Sequence, residues 1–142
     1  LNGRNYKEKL QKLDNELRSS LALIPSRKRV LVTCEGAFTY LAKDYAMEEA
    51  YLWPVNAESQ VTPKRMIRLI KTVKEKEVPA VFCESTVSSK AQQEVARASG
   101  AKFGGTFYVD SLSAEEGPAP SLIELHRHNL RLIKKGLTNF SE

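Results

Sequence analysis

Apolar side chains recur at Tyr6, Leu10, Leu13, Leu17, Leu21 and Ile24, and the positions between them carry Lys7, Glu8, Lys12, Asp14, Glu16 and Arg18. Steps of three and four keep one stripe of a helix apolar and leave its other faces to water. The pattern therefore predicts a long amphipathic helix closed by Pro25, since proline has no amide hydrogen to continue the ladder. From Arg29 the period changes. Short runs that are apolar almost throughout, RVLVT, AYLWPV, AVFCE and KFGGTFYV, alternate with helix-like segments: AFTYLAKDYA, about 63 to 76, about 89 to 99, and from Ser121 onward. Strands without polar alternation belong to a sheet covered on both faces, and strand–helix alternation makes that sheet parallel. The predicted class is α/β, a four-stranded parallel sheet with helices on both faces. Two capping signals support the boundaries. Thr62 precedes Pro63 as an N-cap before a first-turn proline, and Ser121 with Glu124 has the spacing of a capping box.

At 142 residues the chain has the size of one domain. Lys and Arg number 22 against 17 Asp and Glu, a formal charge of +5 scattered along the chain, which does not indicate nucleic acid. No run approaches the roughly 18 apolar residues a membrane helix needs. Cys34 and Cys83 stand too far apart for a zinc knuckle or a CxxC pair. They read first as two small buried hydrophobes near strand ends, with a disulfide between them as the alternative.

Ligands of parallel sheets bind beyond the carboxyl ends of the strands, so the chemistry is sought there. The first predicted strand runs out at Glu35 and Gly36, the second toward Asn56 and Glu58, the third at Glu84 and Ser85, the fourth at Asp110 and Ser111. An acidic edge on a chain that is basic in sum points to a bound cation rather than a phosphate. Each carboxylate also has a local alternative. Glu35 is placed to cap the helix near Ala37, Glu84 to bond backbone in its own turn, and Asp110 to open an Asx turn into the loop from Ser111 to Pro120. His126 and His128, two apart on a helix, point to different faces and cannot share an ion. Gly104 and Gly105 lie within a strand-like run rather than between a strand and a helix, so they form no phosphate loop. Neither Cys34 nor Ser85 has an evident base beside it, so nucleophilic catalysis is unsupported.

The motifs TCEGAFTYLAKDY, YLWPVNAESQVTP, VPAVFCEST and FYVDSLS followed by EEGPAP come in an order that resembles the carboxyl-terminal lobe of metal-binding solute-binding proteins serving manganese, zinc and iron ABC importers. The resemblance covers nearly the whole chain. It is greatest to the manganese and iron branch, whose first motif reads S-E-G-A-F; here Cys34 stands at the serine position. The resemblance implies a two-lobed protein whose lobes are joined by one long helix, residues 1–25 being the end of that connector and 26–142 the carboxyl-terminal lobe. It further implies a metal held between the lobes, with Glu35 and Asp110 as this lobe's ligands and two histidines supplied by an amino-terminal lobe. Carboxylates with imidazoles suit Mn(II) and accept Zn(II) or Fe(II), whereas the zinc-dedicated branch has His at the Glu35 position.

The expected function is thus capture of a divalent metal, Mn(II) or Zn(II) as transported ligand with no organic cofactor, and its delivery to ABC permease subunits. The expected location is periplasmic or lipid-anchored outside the cytoplasmic membrane. No catalysis is expected. The alternatives are a small flavodoxin-like, Mg-dependent enzyme or signalling domain using the same acidic edge, and an interaction module built on the basic first and last helices. Nucleic acid is not expected as a partner. A dimer of the isolated lobe through the apolar stripe of the first helix is a further expectation.

Overall fold

The computed structural model describes residues 2–36, 38–54, 61–108 and 122–138. Helix α1 spans Asn2–Leu21 and is followed by a short 3-10 turn at Ser26–Lys28. Four strands and four helices then alternate: β1 Val30–Glu35, α2 Thr39–Asp44, β2 Glu48–Trp53, α3 Pro63–Glu75, β3 Ala80–Glu84, α4 Lys90–Ser99, β4 Lys102–Phe107 and α5 Leu122–Thr138. The α/β alternation read from the sequence is the one observed, and the strands are parallel.

The ladder itself is divided. β1 pairs with β2 and β3 with β4, so the backbone hydrogen bonds form two two-stranded sheets, while β1 lies alongside β3. The spatial order is therefore β2, β1, β3, β4, interrupted in the middle. Helices α1 and α5 pack on each other, as do α3 and α4, with little contact between the two pairs, so they cover opposite sides of the strands. β1 and β3 are buried almost from end to end, which is why their runs carry no polar alternation.

The first helix ends at Leu21 rather than at Pro25. Proline disfavours the α conformation in the residue before it, and the chain tightens accordingly: Leu23 N donates to Ser20 O and Ile24 N to Leu21 O, both i to i−3 bonds. Ile24 leaves the helix but still packs against the core beside buried Leu17 and Leu21. Those two leucines are buried, Leu10 and Leu13 are partly so, and α1 packs on α5. The cap at Thr62 is present, its hydroxyl accepting from Arg65 N at 3.1 Å. Ser121 of the proposed capping box lies outside the described residues, as does the loop from Ser111 to Pro120.

Gly104 and Gly105 are strand residues, and each has a packing reason. A Cβ on Gly104 would come within 2.5 Å of the Phe82 ring. Gly105 has φ of +133°, beside the register shift between Val81 and Phe82. The two glycines let β4 bulge and close onto Phe82, whose ring stacks on Phe107 at 4.7 Å between centroids.

Candidate metal centre

Parallel pairing aligns the strand ends. Glu35 is opposite Trp53, and Glu84 is opposite Phe107. Each ladder continues one bond further, Gly36 N donating to Trp53 O and Ser85 N to Phe107 O. Glu35 is half-buried at the last position of β1, at the edge beyond which parallel sheets bind their ligands.

Its backbone is held by Glu84. The Glu84 side chain is 1% exposed and accepts from Cys34 N at 3.0 Å and from Glu35 N at 3.0 Å, bridging β3 to β1 where the backbone ladder is missing. Glu84 does bond to backbone, as expected, but to the neighbouring strand rather than to its own turn. It faces inward and adds no exposed charge to the acidic edge. Burial pushes its carboxyl up to about 7, and the proximity of Glu35 acts in the same direction, while the amides of Cys34 and Glu35 pull against them.

Cys34 and Cys83 form a disulfide across the same gap, with their Cα atoms 4.9 Å apart. This replaces the reading of two free buried thiols. Neighbouring strands bring the two side chains to bonding distance, a proximity that a separation of 49 residues does not reveal. The sulfurs and a Glu84 oxygen lie within 4.8 Å of one another. A disulfide offers no thiolate, so this group is a brace and not a metal site.

After Glu35 the chain turns over Tyr51. A Cβ on Gly36 would lie 2.8 Å from that ring, so the close approach requires glycine. Phe38 then packs edge-on to Phe107 at 5.0 Å, tying the segment after Glu35 to the end of β4. The carboxylate at the amino end of α2 is that of Glu49, which accepts from Phe38 N at 3.1 Å and Thr39 Oγ1 at 3.0 Å. The capping role foreseen for Glu35 is thus filled from β2.

The end of β4 is fixed from α5. The buried Asn129 amide accepts from Tyr108 N at 2.9 Å and donates to Tyr108 O at 2.8 Å, clasping the backbone two residues before Asp110. His128 Nε2 lies 3.0 Å from Thr106 O, and its ring lies against Tyr108. His126 faces another way, toward Asp14 and Asp44; burial lowers its pKa and the two carboxylates partly offset that. The two histidines are separated, as their spacing required. Asp110 and Glu58 lie outside the described residues.

Sequence reasoning placed the backbone partners of Glu84 in its own turn rather than on the neighbouring strand, and it did not mark Asn129. For Glu84 the signal was available: a carboxylate directly after the wholly apolar run AVFC, which argues for a buried acid with backbone partners. For Asn129, lying amid helix-surface polar residues, no comparable signal exists.

Over residues 1–136 the sequence matches the family described as ZnuA, zinc-uptake complex component A, periplasmic. The iron-binding protein YfeA of Yersinia pestis is 48% identical over 135 residues, spanning 95% of this chain and 43% of that protein. The manganese ABC transporter substrate-binding lipoprotein PsaA of Streptococcus pneumoniae is 33% identical over 132 residues, 93% of this chain and 43% of that protein. Among solved structures, a Mn-bound mutant of a periplasmic metal binding protein from Candidatus Liberibacter asiaticus superposes with a TM-score of 0.80 at 37% identity, covering 96% of this chain and 51% of that one. The periplasmic zinc binding protein TroA of Treponema pallidum gives 0.77 at 26% identity, covering 96% of this chain and 51% of that one. The chain spans less than half the length of these two curated relatives.

Proposed function

Because the chain belongs to the ZnuA family of metal-uptake proteins, we propose that it forms the carboxyl-terminal lobe of a divalent-metal receptor that delivers its ion to an ABC importer outside the cytoplasmic membrane. Residues 1–25 are the end of the connecting helix and 26–142 the lobe. Glu35 and Asp110 are this lobe's ligands; the remaining ligands come from an amino-terminal lobe of the kind its longer relatives have room for. No reaction is catalysed, and the match to a solute-binding family leaves the Mg-dependent enzyme reading without support.

The observation that carries the proposal is the bracing of the Glu35 tip. A buried carboxylate and a disulfide hold this strand end to β3, and the Phe38–Phe107 contact ties the segment after it to β4, the strand that leads to Asp110. Such fixing is what a ligand position needs, because a metal site gains affinity from ligands that do not have to be ordered when the ion binds. Hard carboxylate oxygens favour Mn(II) by type, while Zn(II) binds more tightly by the Irving–Williams order, so selectivity falls to geometry and supply.

Titrating Mn(II) into the isotopically labelled chain tests the half-site. Paramagnetic broadening centred on Glu35 and the 108 to 112 region is expected; broadening centred elsewhere refutes the assignment. In the two-lobed protein, Asp110→Ala is expected to weaken Mn(II) binding by about tenfold or more, and unchanged affinity by calorimetry removes Asp110 from the ligand set.

A further inference from the structure

Helix α3 carries Lys64, Arg65, Arg68, Lys71 and Lys74 against one carboxylate, Glu75, so this helix alone holds a surplus of four positive charges in a chain of formal charge +5. Leu69 and Val73 are buried and anchor the inner face. Lys64, Arg68 and Lys71, at i, i+4 and i+7, form a stripe on the outer face, with Ile67 and Lys74 beside it, and all five are exposed. Ile67 is 65% exposed, an aliphatic side chain set among cations. Among the described residues none of the five cations of α3 is ion-paired, whereas Lys76, just beyond the helix, pairs with Glu48, and Lys134 on α5 pairs with Glu16. A recess of about 250 Å³ opens between β2 and α3, lined by Tyr51, Arg65, Arg68 and Thr72. Glu49 also borders it, but its oxygens accept from Phe38 N and Thr39 Oγ1.

We propose that the outer face of α3 docks on an anionic phospholipid surface, with a headgroup phosphate seated between Arg65 and Arg68 and Ile67 entering the interface. The proposal rests on the reading of a protein that works outside the cytoplasmic membrane, which makes a lipid headgroup the polyanion at hand. A single exposed cation gains little, and salt screens it. Several on one rigid face add their attraction to an anionic bilayer, and a helix already packed in the fold loses little entropy on docking. Guanidinium groups bind phosphate through paired N–H donors, which suits the recess. Ile67 favours lipid over a solvated polyanion, since a bilayer interface gives it an apolar environment and a solvated polyanion does not.

Vesicle flotation of the chain tests this, with neutral phosphatidylcholine against the same lipid containing one-quarter phosphatidylglycerol. Binding is expected only to the anionic vesicles and is expected to fall as salt rises. Combining Lys64→Glu, Arg68→Glu and Lys71→Glu is expected to weaken it by about tenfold or more, and Ile67→Ser severalfold. Lys9→Glu with Lys12→Glu and Arg131→Glu, which changes net charge equally on the α1–α5 side, is expected to leave it within about twofold. No binding to anionic vesicles, equal binding to neutral ones, or equal loss in both triple variants overturns the proposal. So does displacement by a single-stranded oligonucleotide that binds tightly to α3, which would assign the face to nucleic acid. The α3 variants are expected to keep the Mn(II) broadening of the parent, so the docking face and the metal site fail or stand separately.

Discussion

Glu84 links side-chain chemistry to the energetics of the site. Its carboxyl is raised from 4.5 to about 7 in the folded chain, chiefly by burial, so the folded state holds its proton more tightly than the unfolded state. Stability from this group is therefore fully present below about 4.5 and is lost as pH rises through about 7. The loss is on the order of 3 kcal/mol at about 1.4 kcal/mol per pH unit. Thermal melts of the metal-free chain across that range are expected to show falling Tm with rising pH. Glu84→Gln, which carries no titrating group, is expected to flatten the slope. A slope unchanged in the variant assigns the titration to another group. Asp14 behaves differently: burial pushes its carboxyl up, but hydrogen bonds from Tyr45 and Arg18 outweigh it, leaving the group below its ordinary value.

Among the elements, β4 shows how local composition is subordinated to packing. Two glycines weaken a strand in isolation. Here they admit the Phe82 ring and the bulge, and the Phe82–Phe107 stack fills the space beneath the strand ends. Gly104→Ala is expected to lower unfolding free energy by about 1–3 kcal/mol, the cost of overpacking a tight core, measured by urea denaturation. The other elements were legible because each carries its own signal: the Thr62–Pro63 start of α3, the unbroken apolar runs of β1 and β3, and the stripe of α1. The early end of α1 was not, since Pro25 acts on the residue before it and the last turn tightens rather than stops. Of the stripe on which a dimer was expected, Leu17 and Leu21 are buried within this chain.

For the molecule as a whole, the divided sheet leaves the Cys34–Cys83 bridge, the Glu84 clamp and the Phe38–Phe107 contact to tie its two halves at the strand ends. A cross-link closing a loop of this length stabilises by about 2–4 kcal/mol, in the chain-entropy account by restricting the unfolded state. Replacing both cysteines by alanine is expected to lower unfolding free energy by that amount, read by denaturation under non-reducing conditions. An unchanged midpoint would mean that the clamp and the core hold the halves unaided. The sequence by itself determined the α/β class, the element order and the carboxylate at the end of β1, because periodicity and strand ends are local properties of the chain. Only the tertiary structure decided that the two cysteines join, that Glu84 turns inward to hold Glu35, and that Asn129 clasps the strand before Asp110. Those outcomes depend on which strand lies beside which, and on the burial that follows, neither of which is recorded in the spacing of residues along one chain.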